Sequence, residues 1–423
     1  MDERESLLEA IMPLPVWDSH THLQGAALPA ASFWDIGHYF WYLQQLVAAG
    51  YPADHRSLGE DERCAAYARA YAATRNTSMH WTVARILDDL YGVRITDAAS
   101  VRAADAAIRA AGAAPGWAQR VCARGALRRI VVNEPEDAAF EGVPDTACLV
   151  PRVETQIRDW IARLAAGEDA AGVRAAIATA LAAYAAAGCG GVMTSLEAFG
   201  PSEGLRRLRT LRSARDERDE RDERDEPEPP GADPAARAAF VCHALCAAAE
   251  AHGLFLQLLI GIEPVFGPGT GPASGAGRWR SPVNDPQRLL SLHSLFRDYR
   301  CQFELVLGSS IDNLDAARAV TLFPNVSVGG LWWYNFRAST YRETMQYRLE
   351  GLPPARAVLI ASDARCIEWA YGKVVLVKHL LAEFLQGEIA RGWISREDAL
   401  WVAREWLYGA AAARYVRNKN REL

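Results

Sequence analysis

Eight short apolar, β-prone runs punctuate the chain, and most are separated by stretches that read as helix. This alternation limits the fold more than any other feature. The runs are "LPVWDSH", "LRRIVVN", "ACLVPRV", "GGVMTSL", "LFLQLLIG", "CQFELVLGS", "NVSVGGLWW" and "AVLIASD". Most are nearly continuous in apolar residues, as expected of parallel strands buried on both faces. Segments such as "AGVRAAIATALAAYAAAG" and "PAARAAFVCHALCAAAEAHG" between them are plainly helical in pattern. Strands and helices alternating eight times predict an α/β fold, a (β/α)8 TIM-type barrel with its site at the C-terminal ends of the strands. An open doubly wound sheet is the runner-up, but no Gly-rich nucleotide fingerprint follows the first strand.

The spacing of the runs sets the domain organisation. Residues 1–30 start the barrel and carry the first strand. Residues 31–126 are too long for one loop and read as a mostly helical insertion over the barrel mouth. Within it "NTSMHWTVARILDDLYGV" offers Asn76, Thr77 and Ser78 as N-cap oxygens. Residues 127–423 supply the rest of the barrel. They include a low-complexity surface insertion at 212–234, whose Arg-Asp-Glu triplets carry no apolar face and end in "PEPPG". The glycine-rich "FGPGTGPASGAG" at 266–277 lacks G-K-[ST] and reads as a long loop or lid, not a phosphate-binding loop.

Composition narrows the class of function. Half of the residues are hydrophobic, enough for a large core, and the net charge of −6 leaves no basic surface for nucleic acid. No run approaches the roughly 18 apolar residues of a membrane span, and the acidic N-terminus lacks the pattern of a signal peptide. The eight cysteines include no C-x-x-C pair and read as reduced thiols of a cytoplasmic protein. His243 between Cys242 and Cys246 reads as part of a buried helix face, not as a metal cluster.

The first run ends in "WDSHTHL". Alternate residues of a strand face the same side, so His20 and His22 can aim at one point and hold a divalent ion. The plainer alternative is a polar strand end whose histidines cap the core. In a barrel, the other strand ends converge there. The eighth offers Asp363 as ligand or proton acceptor, with Arg365 two residues on as a fork for a carboxylate or a structural ion pair. The seventh offers Trp332, Trp333 and Asn335, and the third Arg152 for an anionic group. Glu197 and Glu263 end the fourth and fifth as acid–base or capping groups.

Together these motifs resemble the amidohydrolase superfamily and, more narrowly, the uronate isomerases. "DSHTHL" is similar to that family's D-x-H-C-H-L. "FWDIGHYFW" is similar to its D-H-Y segment, with His38 and Tyr39 in place, and His80, Trp81 and Thr82 match its H-W-T. "WWYN" resembles W-W-F-N, "SDAR" resembles D-S-R, and "AAARYVRN" resembles the closing N-A-R-x-Y-F. The matches run in the family's order from one end of the chain to the other. The resemblance implies a metal-dependent aldose–ketose isomerisation of a sugar acid. His20, His22 and Asp363 would hold one metal, Zn2+ first and Mn2+ as the other candidate. Asp363, His38, Tyr39 and Arg365 would be catalytic. Arg365, Trp332, Trp333, Asn335, His80 and Arg152 would bind a small anionic polyhydroxylated substrate. Neither nucleic acid nor a membrane is expected as a partner, and a homo-oligomer is allowed.

The chain departs from the family at several points. Leu259 in "QLLIG" stands where the family has histidine, Ser195 and Leu196 stand where it has a D-H pair, and Gly37 replaces the aspartate of D-H-Y. The alternative is therefore a diverged hydrolase, decarboxylase or other rearrangement enzyme on a small carboxylated substrate. A non-catalytic binding barrel comes third, because a pure scaffold has no need of His20, His22, Asp363 and Arg365 together.

Overall fold

The computed structural model describes residues 3–25, 27–133, 140, 143–199, 233–261, 263–264, 280–281, 286–308, 313–331 and 336–415. Trp332, Trp333 and Asn335, the loop at 266–277 and all but the last two residues of the charged insertion at 212–234 lie outside the described residues. So do the side chains of Glu197 and Glu263.

Seven of the apolar runs form strands: β1 (Val16–Asp18), β2 (Leu127–Val132), β3 (Ala147–Leu149), β4 (Gly191–Ser195), β5 (Phe255–Ile260), β6 (Phe303–Leu307) and β7 (Val326–Leu331). The chain divides into two compact units. The first comprises Met1–Cys148, Gly330–Met345 and Val358–Ala412, and the second Leu149–Gly329, Gln346–Ala357 and Ala413–Leu423.

In the first unit β1, β2 and the start of β3 pair in that order. β1 and β2 run parallel, with Val16 opposite Leu127 and Asp18 opposite Ile130. The eighth apolar run joins the chain just after β1. Ser19 N donates to Ile360 O at 3.0 Å, Asp363 N to His20 O at 2.9 Å and His22 N to Ala364 O at 2.8 Å. Thr21 bridges Ala364 in parallel. The pairing is irregular for a local reason. The Asp18 carboxyl takes the Ser362 N–H at 2.9 Å, and Asp363 turns into the left-handed region at φ 56°. A side chain replaces a backbone rung where the chain leaves the sheet.

Among the described residues, six α-helices lie between β1 and β2: Phe33–Gly37, Phe40–Ala48, Glu60–Ala73, Ser78–Tyr91, Ala98–Gly112 and Trp117–Gly125. Their ends follow from local chemistry. Thr77 accepts the His80 N–H at 3.1 Å to start Ser78–Tyr91, and Gly92 at φ 66° stops it. Asp97 and Ser100 form a reciprocal capping box on the next helix. In Ser78–Tyr91 the residues Met79, Val83, Ile86 and Leu87 are buried, spaced as one helical face. Glu368, on the long helix Ile367–Ala390, anchors the insertion. It is fully buried and accepts from Ala30 N at 2.9 Å, Tyr91 Oη at 2.9 Å and Trp117 Nε1 at 2.8 Å.

In the second unit the order is β4, β5, β6, β7, the last through its first four residues. Gly191 lies opposite Phe255, and Leu256 opposite Phe303, both pairs parallel. Arg152 bridges Met193, and Val328 bridges Ala357. Gly329 is required here, since a Cβ would sit 2.7 Å from Val306 and 2.9 Å from Glu304. Glu304 is fully buried and accepts from Gln257, Arg414 and Tyr415, so the carboxylate is neutralised and hydrogen-bonded in place. No described helix is long and apolar enough to cross a membrane.

Candidate metal centre

Beyond Asp18 the chain stays extended, so His20 and His22 project to one side while Thr21 turns the other way. The Thr21 hydroxyl donates to Val131 O at 2.7 Å, which fixes the strand's rotation and hence the direction of both imidazoles. His20 Nε2 lies 3.1 Å, and His22 Nε2 3.0 Å, from the same oxygen, Asp363 Oδ1. The rings stand edge to face with centroids 5.1 Å apart. One ligand atom from each residue lies within 4.8 Å of the other two, and this is the one such group of three His, Cys, Asp or Glu among the described residues. His20 is sealed, Asp363 nearly so, and the His22 side chain keeps 21% of its surface, so the group is reached from the His22 side.

Burial alone would raise the Asp363 carboxyl. The charges and hydrogen bonds of His22 and His20 outweigh it and hold the group well below the ordinary carboxylate range. Asp363 therefore stays an anion. Its other oxygen accepts from the Tyr39 hydroxyl at 3.1 Å, and the same hydroxyl lies 3.1 Å from the Asp363 carbonyl. Burial, then the Asp363 charge, push the Tyr39 phenol far above its usual value, so it remains a donor. Its ring stacks on Trp369 at 4.3 Å, and the Trp369 indole donates to Ile36 O at 3.2 Å. The helical insertion thus reaches the triad through Tyr39. Asp18 lies behind it. Burial raises its pKa, and Oδ2 has no hydrogen-bond partner among the described residues.

The donor set suits a divalent ion. Two imidazole nitrogens and one carboxylate oxygen are borderline ligands of the kind Zn2+ or Mn2+ takes. When both Nε2 atoms are deprotonated, they and Oδ1 offer three lone pairs to one point. Three protein ligands would leave a position for water or substrate, and Tyr39 would supply the outer hydrogen bond that orients such a carboxylate.

The other sequence candidates are distributed as follows. His38 ends the helix Phe33–Gly37 and turns away from the triad. Its Nε2 pairs with Tyr51 Oη at 2.9 Å, and its ring meets Trp34 and His55 at 4.5 Å each. Burial, with His55 and nearby arginines, pulls its pKa down to about 3. His80 lies on Tyr71 at 4.0 Å, with Nδ1 3.3 Å from Thr74 Oγ1, a helix-packing position. Arg365 is exposed and has no hydrogen bond or ion pair among the described residues, which leaves its guanidinium available. Its charge is felt at the Tyr39 hydroxyl. In the second unit, Arg152 pairs with Glu154, and Glu154 also accepts the Ser195 N–H at 3.0 Å.

Comparison with protein families and with curated protein sequences finds no match. Solved structures do match. The uronate isomerase of Thermotoga maritima superposes with a TM-score of 0.75 at 16% identity, over 97% of this chain and 97% of its own. That of Bacillus halodurans gives 0.71 at 17%, over 98% and 96%. The glucuronate isomerase of Caulobacter crescentus gives 0.69 at 12%, over 99% and 95%. The chain is accordingly an α/β protein of the (β/α)8 type with a helical insertion after its first strand, the fold of these uronate isomerases.

Proposed function

We propose that this chain is a metal-dependent, isomerase-like enzyme that moves a proton between adjacent carbons of an open-chain sugar acid, interconverting aldose and ketose. The observation that carries the reading is the convergence of His20, His22 and Asp363 on one point, with Tyr39 on the second carboxylate oxygen, in a chain with the uronate isomerase fold. His20, His22 and Asp363 would hold Zn2+ or Mn2+, and such an ion, when bound, polarises the sugar's carbonyl. Asp363 is an anion with two imidazoles and a phenol on its carboxylate, and it serves as proton acceptor at Oδ2, the oxygen outside the metal point. Tyr39 holds that carboxylate in place by donating to it. Arg365, two residues from Asp363 and unpaired among the described residues, binds the substrate carboxylate through its planar fork. The substrate is thus small, anionic and hydroxyl-rich. The eight cysteines are free thiols, in keeping with a cytoplasmic protein.

A second reading keeps the metal and changes the reaction to hydrolysis or decarboxylation. It is favoured by Leu259, which is buried and apolar on β5 where the resemblance expects histidine. Proton NMR of Zn- or Mn-loaded protein with D-glucuronate and D-galacturonate in D2O separates the two. Ketose formation with solvent deuterium entering at C1 of the ketose, abolished in Asp363→Asn, is the expected result. Metal uptake without turnover of either sugar transfers the conclusion to the second reading.

A further inference from the structure

Two lysines of the helix Ile367–Ala390 are buried, and they differ in what surrounds them. Lys378 donates to three carbonyls, Met12 O at 2.7 Å, Leu14 O at 2.8 Å and Gly125 O at 3.3 Å, and ties chain segments together. Lys373 is fully buried, yet its hydrogen bonding among the described residues is one long contact, 3.4 Å to Leu331 O at the end of β7. Its Nζ otherwise lies over aromatic faces, 4.2 Å from the Phe336 centroid and 5.4 Å from that of Tyr341. Among the described residues this ammonium, with three donors, has one long acceptor.

Its position says what that charge acts on. The end of β7 is pressed against the segment that carries Asp363, since a Cβ on Gly330 would fall 2.3 Å from Ala361 N. Among the described residues, the acidic groups that act on Lys373 are Asp363 and Asp18, one an expected metal ligand and the other directly behind it. Among the described residues, the Tyr341 ring also lies against it, at 5.4 Å.

We propose that Lys373 is a positioning cation of the metal centre, a buried positive charge at the end of β7, against the segment that carries Asp363, that competes with a bound ion for the same carboxylate field. The inference rests on the metal-binding reading above. The charge weakens the site's hold on a divalent ion, because two cations in one low-dielectric region repel. Burial brings the ammonium pKa down to about 7, so the antagonism is full at pH 6 and gone well above neutrality.

The test is Zn2+ titration of the full chain against a competing chelator at pH 6 and pH 8.5. Lys373→Met and Lys373→Gln remove the charge, and Lys373→Arg keeps it at both pH values. At pH 6 the Met and Gln variants should bind at least about fivefold tighter than the parent, converging with it at pH 8.5. The Arg variant should bind more weakly than the parent at pH 8.5. Lys373→Gln keeps the test if Lys373→Met does not fold. Equal affinity at both pH values, or a uniform weakening in folded protein, makes Lys373 a packing residue and overturns the proposal. Failure of the metal-binding reading itself looks different: the parent, and a His20→Ala/His22→Ala variant, would bind Zn2+ equally poorly.

Discussion

Replacing Tyr39 with phenylalanine removes one oxygen and leaves the packing intact. The ring keeps its place on Trp369 at 4.3 Å, while the hydroxyl 3.1 Å from Asp363 Oδ2 is gone. A hydrogen bond to a charged group contributes about 1.5–3 kcal/mol net. Losing an outer-sphere partner of a ligating group typically costs about 10–100-fold in metal affinity, or about 1.4–2.7 kcal/mol. The two estimates agree, so Tyr39→Phe should bind Zn2+ about 10–100-fold more weakly in a chelator competition. Ion-induced stabilisation should fall in step. At a free ion concentration about 100 times the parent's Kd it is about 2.7 kcal/mol, and a tenfold weaker site loses about half of that. Binding within twofold of the parent, in a variant with an unchanged far-ultraviolet spectrum, would refute the claim that Tyr39 holds the ligating carboxylate.

Other outcomes follow from the same geometry. His20→Ala/His22→Ala should abolish the rise in melting temperature on adding Zn2+, read by differential scanning fluorimetry. At the left-handed Asp363, Asn fits the backbone where Ala is strained, so Asp363→Ala should melt lower than Asp363→Asn while both lose turnover. Glu368→Ala leaves one buried donor, Ala30 N, and two half-buried ones, Tyr91 and Trp117, without their acceptor; at about 1–3 kcal/mol for a fully buried donor and less for the others, denaturant melts should show a loss of about 3–5 kcal/mol. His38 is half-buried in its neutral form with its pKa lowered. The unfolded chain therefore binds the extra proton more readily below pH 6.5, and stability falls as pH drops from there toward about 3. His38→Gln should flatten that part of a stability–pH profile.

What could be read in the sequence and what could not divide along physical lines. Strands that are largely buried announce themselves as apolar runs, and β1 to β7 coincide with the runs in the sequence, even the half-buried β3. The eighth run was equally legible, but its irregular pairing was not, because that depends on the Asp18 side chain taking a backbone N–H 344 residues away. His20 and His22 were visible through strand alternation, and Asp363 through the convergence of barrel strand ends. His38 and Tyr39 are neighbours in a motif, yet the helix break between them sends one ring to Tyr51 and the other to Asp363. Adjacency in sequence does not say which way a side chain turns. Lys373 and Glu368 gave no signal, since charged residues on a long helix read as solvated until the helix proves buried on every side.

The separation between His20 and Asp363, 343 residues along the chain, also orders events during synthesis. At about 5–20 residues per second, on the order of 20–70 s pass between the emergence of the two histidines and that of the carboxylate. Through that interval the nascent protein carries a pair of imidazoles with no anion to complete them. An ion captured then would be held by two ligands at most. Loading of the proposed centre is therefore a late step, and the supply of metal would matter after the carboxylate has emerged rather than before.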